Sequence, residues 1–201
     1  MKKKIIILGS TGSIGKTTLD IIGKNKEKFE ITLLTTNKNI KELSKQIKKF
    51  NPKNVLISDK KKFDIFLSKN KSKNTKLFNN FNHAKKAIKS KVDYTMCSIS
   101  GINGLNPILD LIPLSKKIAV ANKESIICGW NLLIKKIKKH KTLFVPVDSE
   151  HFSIWSLIKN ENNKLIDKVY ITASGGPFLK WSKKQMTNIT PKQALNHPKW
   201  S

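Results

Sequence analysis

Four consecutive apolar residues, Ile5 to Leu8, end abruptly at a glycine. Short apolar runs of this kind recur along the chain. A run of four to eight such residues bounded by turn formers reads as a buried strand. On that basis strands are predicted over residues 4–8, 30–35, 55–58, 94–99, 118–121, 143–147 and 169–172. Between them lie stretches with helical spacing, predicted as helices over 16–25, 40–50, 105–112, 124–139 and 152–159. Leu43, Ile47 and Phe50 share one helical face, and Pro52 stops that helix. Residues 60–82 are polar, rich in Lys and Asn, and weakly patterned. They read as a surface helix with loops.

Strand and helix alternate with no internal repeat, which predicts an α/β fold: a doubly wound parallel sheet of the Rossmann type with helices on both faces. The alternation is regular as far as Asp148. After it come a Gly-Gly-Pro loop at 175–177 and scattered tryptophans. The expected division is therefore a dinucleotide-binding domain over 1–148 and the beginning of a second, incomplete domain over 149–201.

Composition changes this picture little. At 38% hydrophobic residues the 201-residue chain can build a core. The opening Met1-Lys2-Lys3-Lys4 and its short apolar run are too brief for a signal peptide, and no apolar stretch is long enough to span a membrane, so a cytoplasmic protein is expected. The net charge of +27 raises the possibility of nucleic acid. All forty basic residues are lysines, however, and base and phosphate readers favour the arginine fork. The lysines are spread along a chain also rich in Asn and Ile, as compositional drift would leave them, so no specific nucleic-acid partner is expected. Cys97 and Cys128 lack metal-binding spacing and read as two small buried hydrophobes.

Candidate chemistry begins at Gly9-Ser10-Thr11-Gly12-Ser13-Ile14-Gly15, directly after the first strand. Glycines there let the backbone approach a pyrophosphate, with helix amides facing the anion. A plain tight turn is the alternative. Gly15-Lys16-Thr17 also resembles the end of a phosphate loop of an NTPase or kinase, with Val147-Asp148 as its metal strand. That motif needs a glycine at position 10, where Ser10 stands. The second strand runs into Thr36-Asn37-Lys38-Asn39 with no carboxylate to hold a ribose hydroxyl, and Lys38 can pair with a 2′-phosphate. This favours NADP over NAD, although Lys38 is also one surface lysine among many.

Three further segments sit at predicted strand ends. In Ala121-Asn122-Lys123-Glu124-Ser125, Asn122 and Glu124 suit either a ligand or a helix cap. In Asp148-Ser149-Glu150-His151, two close carboxylates can serve a hard divalent cation, or the same pattern can cap a helix. Ser174-Gly175-Gly176-Pro177-Phe178 can bring amides and a hydroxyl to a phosphate, or simply turn.

These segments, with His197-Pro198-Lys199-Trp200, stand in the order and spacing of one family. Together they resemble 1-deoxy-D-xylulose 5-phosphate reductoisomerases. The resemblance implies NADPH contacts at Thr11, Gly12, Ser13, Ile14, Asn37, Lys38, Asn39, Asn122 and Glu124. The family usually has Gly where Asn37 stands. It implies substrate contacts at Lys123, Ser149, Glu150, Ser174 and His197, with Lys123, Asp148, Glu150 and His197 as the catalytic set. It implies Asp148 and Glu150 as ligands of Mn²⁺, Mg²⁺ or Co²⁺, and Trp200 in a loop that closes over the substrate. The implied reaction is metal-assisted rearrangement of the sugar phosphate 1-deoxy-D-xylulose 5-phosphate, then reduction by NADPH to 2-C-methyl-D-erythritol 4-phosphate, in a homodimer. The family's chains carry a third metal carboxylate and a helical domain beyond the segments present here. By itself this chain is expected to bind NADPH without catalysing the reaction.

Overall fold

The structure, a computed structural model, describes residues 1–69, 74–162, 165–171 and 176–196. Its centre is a seven-stranded sheet in which every pairing is parallel. The strands are β1 (Lys3–Leu8), β2 (Phe29–Thr36), β3 (Asn54–Ile57), β4 (Lys76–Phe78), β5 (Val92–Cys97), β6 (Ser115–Val120) and β7 (Leu143–Pro146). Their spatial order is β4-β3-β2-β1-β5-β6-β7. Each connection crosses over through helix, as parallel neighbours require.

The apolar run of β1 is continuous because both faces of the sheet are covered. Ile6 and Leu8 point to one side, where α4 (Phe81–Lys86), α5 (Leu105–Leu111) and α6 (Lys123–His140) contribute Ala84, Ile108, Leu111, Leu133 and Ile137. Ile5 and Ile7 point to the other. There α1 (Ser13–Gly23), α2 (Ile40–Phe50) and α3 (Lys60–Lys69) contribute Leu19, Ile22, Leu43, Ile47 and Phe66. Each fully buried side chain of this size contributes roughly 1.5–3 kcal/mol. The expected face of α2 is the one that packs. The helix ends at Asn51, whose left-handed φ of 47° closes the last turn before Pro52.

Two compact units are present, Met1–Trp155 and Ser156–Ser201. The first holds the sheet and most of α7 (Ser149–Ile158). In the second, Phe178 meets Trp181 edge-on at 5.2 Å. Thr190 and Gln193 form a reciprocal capping box on α8 (Pro191–Leu195).

Three expectations need correction. The described part of residues 60–82 holds the expected helix, α3, but also all of β4 and the start of α4. β4 is a three-residue edge strand, too short to register as a pattern. Residues 169–171 are not a strand, and Thr172 lies outside the described residues. Cys97 is buried, and desolvation pushes its thiol well above the usual range, but Cys128 is exposed on α6. Among the described residues no helix is long and apolar enough to cross a membrane.

Candidate functional site

Strand order reverses between β1 and β5, and the crevice beyond their carboxyl ends is where an open α/β sheet takes its ligand. The glycine loop occupies that position. Gly9 has φ +74°, and a Cβ there would lie 2.8 Å from the Ser98 carbonyl oxygen. A Cβ on Gly15 would lie 2.6 Å from Ser10 Cα, so the first turn of α1 rests directly on the loop. Ser10 is fully buried. Its N–H donates to the Thr35 carbonyl at 2.9 Å, its hydroxyl to Gln46 Oε1 at 2.8 Å, and Gln46 Nε2 returns a bond to its carbonyl at 2.9 Å. Thr11 is joined to Thr36 at 2.7 Å. Gly12 supplies the N-cap position of α1 without any side-chain cap. The first amides of an eleven-residue helix, at Ser13 and Ile14, thus stay open toward solvent, which fits a phosphate.

One strand over, β2 ends in Asn37-Lys38-Asn39. Asn37 Oδ1 accepts from Ser58 at 3.1 Å, and Asn39 caps α2 through the Glu42 N–H at 3.1 Å. Lys38 is exposed between them. By contrast Lys16 sits a full turn into α1, exposed alongside Asp20, Glu42, Lys45 and Gln46, away from the place a phosphate-loop lysine must take.

On the other side of the crevice, Ser98 at the end of β5 donates its hydroxyl to the Leu8 carbonyl at 2.6 Å. Asn122, at the end of β6, accepts from the Ser125 N–H at 2.9 Å and so caps α6. Its amide nitrogen donates to the carbonyls of Ile99 and Gly101. Lys123 and Glu124 are exposed in the first turn of α6.

At the end of β7, Asp148 accepts from the His151 N–H at 2.9 Å and lies 2.6 Å from His151 Nδ1. Partial desolvation works against its charge, but the His151 bonds outweigh this and hold its carboxyl below the usual range. Glu150 is fully exposed. A hydrogen bond from Ser149 lowers its carboxyl, and Lys123 adds to the effect against the opposing charge of Asp148. Lys123, Asp148, Ser149 and Glu150 therefore gather at the ends of β6 and β7. Among the described residues no group of three metal-binding side chains forms. Two carboxylates, one of them already bonded to His151, do not by themselves close a hard-cation site. Ser174, His197 and Trp200 lie outside the described residues.

Ser98 and Gly104, where an added Cβ would lie 2.5 Å from Asn122 Nδ2, were not anticipated as part of the site. A serine closing a strand, followed by Gly101 and Gly104, is the only local signal they carry. A groove of about 780 Å³ also runs between α1 and the sheet, lined by Ile5, Ile14, Ile21, Tyr94, Met96 and Val147. Its walls are largely apolar and its charged residues, Lys3, Asp93, Lys116 and Lys117, lie toward the opposite ends of the strands, so it does not suit a pyrophosphate.

Comparison with known proteins points to one family. The family described as 1-deoxy-D-xylulose 5-phosphate reductoisomerase matches residues 5–129, and its C-terminal domain matches residues 144–201. The chain is 56% identical over 201 residues to 1-deoxy-D-xylulose 5-phosphate reductoisomerase of Pelagibacter ubique (strain HTCC1062), covering 99% of this chain and 52% of that one. It superposes with a TM-score of 0.84 and 34% identity on the Zymomonas mobilis reductoisomerase in complex with NADPH, covering 98% of this chain and 52% of that one. A DOX-P reductoisomerase in complex with NADPH, fosmidomycin and magnesium matches with a TM-score of 0.77 and 33% identity, covering 99% and 52%. The chain thus spans about half the length of the curated relatives it matches.

Proposed function

The chain belongs to the 1-deoxy-D-xylulose 5-phosphate reductoisomerase family, and from that we propose that it forms the NADPH-binding part of such an enzyme. The observation that carries the reading is the uncapped amino end of α1 behind the Gly9–Gly15 loop, at the reversal of strand order. The pyrophosphate would rest on the amides of Ser13 and Ile14, beside Thr11 and Gly12. Lys38, flanked by Asn37 and Asn39 on an acid-free strand end, would hold the 2′-phosphate that separates NADPH from NADH. Asn122 and Glu124 would border the other half of the cofactor.

NADPH, when bound, would supply the hydride for reduction of the rearranged sugar phosphate. This chain's residues bind and orient. Lys123, Ser149 and Glu150, at the ends of β6 and β7, would hold the substrate, and the family resemblance adds Ser174 and His197 as substrate contacts. Asp148 and Glu150 would give two ligands to Mn²⁺, Mg²⁺ or Co²⁺, whose chemistry is to polarise the substrate carbonyl. The donors among the described residues do not complete that metal site. The proposal also includes the division into domains 1–148 and 149–201, a cytoplasmic location and a homodimer. The match of the family's C-terminal domain from residue 144 supports the division.

Fluorescence titration of the 201-residue polypeptide tests the reading. NADPH is expected to bind at least about tenfold more tightly than NADH, the equivalent of one charge-assisted contact. Adding substrate and Mn²⁺ is expected to produce no oxidation. Equal affinity for NADPH and NADH would overturn the cofactor assignment, and ATP binding in preference to both would favour a phosphate-loop NTPase.

A further inference from the structure

We propose that the Asn122 side chain is a latch that positions the nicotinamide half of the cofactor site, and that it does not itself contact the cofactor. The inference rests on the NADPH reading above. A neutral carboxamide has two N–H donors and one carbonyl oxygen. In Asn122 both donor positions are taken, by the Ile99 and Gly101 carbonyls, and the oxygen accepts from Ser125 N–H at 2.9 Å. Two carbonyl partners on one side and an amide on the other also fix which atom is nitrogen. The residue is 4% exposed.

The latch joins three strand ends. β6 delivers Asn122, which grips the loop that follows β5. That loop is fastened to β1 through Ser98, whose N–H and hydroxyl both donate to the Leu8 carbonyl, at 3.0 and 2.6 Å. Gly104 closes the arrangement from below: a Cβ there would lie 2.5 Å from Asn122 Nδ2 and 2.9 Å from the Ile99 carbonyl oxygen. A doubly wound sheet binds a dinucleotide as two mononucleotide halves across its switch point. Lys38 at the end of β2 marks the adenosine half. The ends of β5 and β6, which the latch holds together, therefore floor the nicotinamide half.

The two halves can be titrated separately, because 2′-phospho-ADP-ribose carries the adenosine half and pyrophosphate without nicotinamide. Asn122→Ser keeps an oxygen to cap α6 but removes both donors. It should weaken NADPH by about tenfold while changing 2′-phospho-ADP-ribose by no more than about twofold. Gly104→Ala, at a residue with ordinary helical φ, should reproduce the same split by pushing on the latch with Asn122 intact. Unchanged NADPH affinity in Asn122→Ser would overturn the proposal. So would equal loss of both ligands, because that marks a general loss of structure. A parent chain that binds neither ligand would instead sink the cofactor reading beneath it.

Discussion

Thr35 holds the mouth of the glycine loop with two groups. Its hydroxyl accepts from the Gly9 N–H at 2.9 Å and its carbonyl from the Ser10 N–H at 2.9 Å. The loop is therefore tied to the same strand that presents Lys38, so the two phosphate contacts proposed for NADPH would share one support. Lys38→Asp is expected to weaken NADPH by about tenfold or more, since a charge-assisted bond contributes about 1.5–3 kcal/mol. It should also narrow the gap to NADH, read by parallel titrations of both cofactors. An unchanged ratio would mark Lys38 as an ordinary surface lysine. Its candidacy was legible in sequence because the decisive sign was a missing acid, which needs no geometry. For Asn122 a cap or a ligand was legible, but not its grip on Ile99 and Gly101, which reach it from more than twenty positions away. Cys128 was misjudged for a related reason. Its neighbours Ile126 and Ile127 are apolar, but successive helix residues point in different directions, and only Ser125, Gly129 and Leu133 of that region turn fully inward.

At the scale of elements, the contact between α1 and the loop leaves no room for a side chain. Gly15→Ala is expected to cost about 1–3 kcal/mol through overpacking against Ser10, seen as a lower urea midpoint and weaker NADPH binding. At the far end of the sheet, Asp93 joins three strands. It accepts from the Lys4 N–H of β1 at 2.8 Å and pairs with Lys116 of β6 at 2.8 Å. The Lys116 bond first, then the Lys4 bond, hold its carboxyl below the usual range. A carboxylate lowered in the folded state stabilises it fully above the unfolded value, about 3.9, and loses that contribution as pH falls through the folded value. Asp93→Asn should therefore flatten the acid limb of stability below about pH 4. The effect should be about 1 kcal/mol or less, because a third of the side chain is exposed. Urea midpoints measured from neutral pH down to the acid limb check this, and an unchanged limb would show that Lys116 contributes nothing. Unbroken apolar runs announced β1 and β7. The three residues of β4 did not announce themselves, because an edge strand buries little and carries Lys76 at its start.

At the scale of the whole molecule, the sequence indicated alternation and parallel pairing but not which strands are neighbours. Periodicity identifies a strand without naming its partner, and the parallel rule was inferred from the helices between. The observed order places β1, made first, at the centre of the sheet. It meets β2 after a short crossover, with Lys3 opposite Phe29, but meets β5 only when Tyr94 and its successors arrive. During synthesis on the ribosome, one flank of the Ile5–Leu8 strand must wait for about ninety residues to emerge. An unpaired edge of that composition is prone to stick to other nascent chains. The three lysines just before it, which add nothing to the finished core, stand where charge opposes such association.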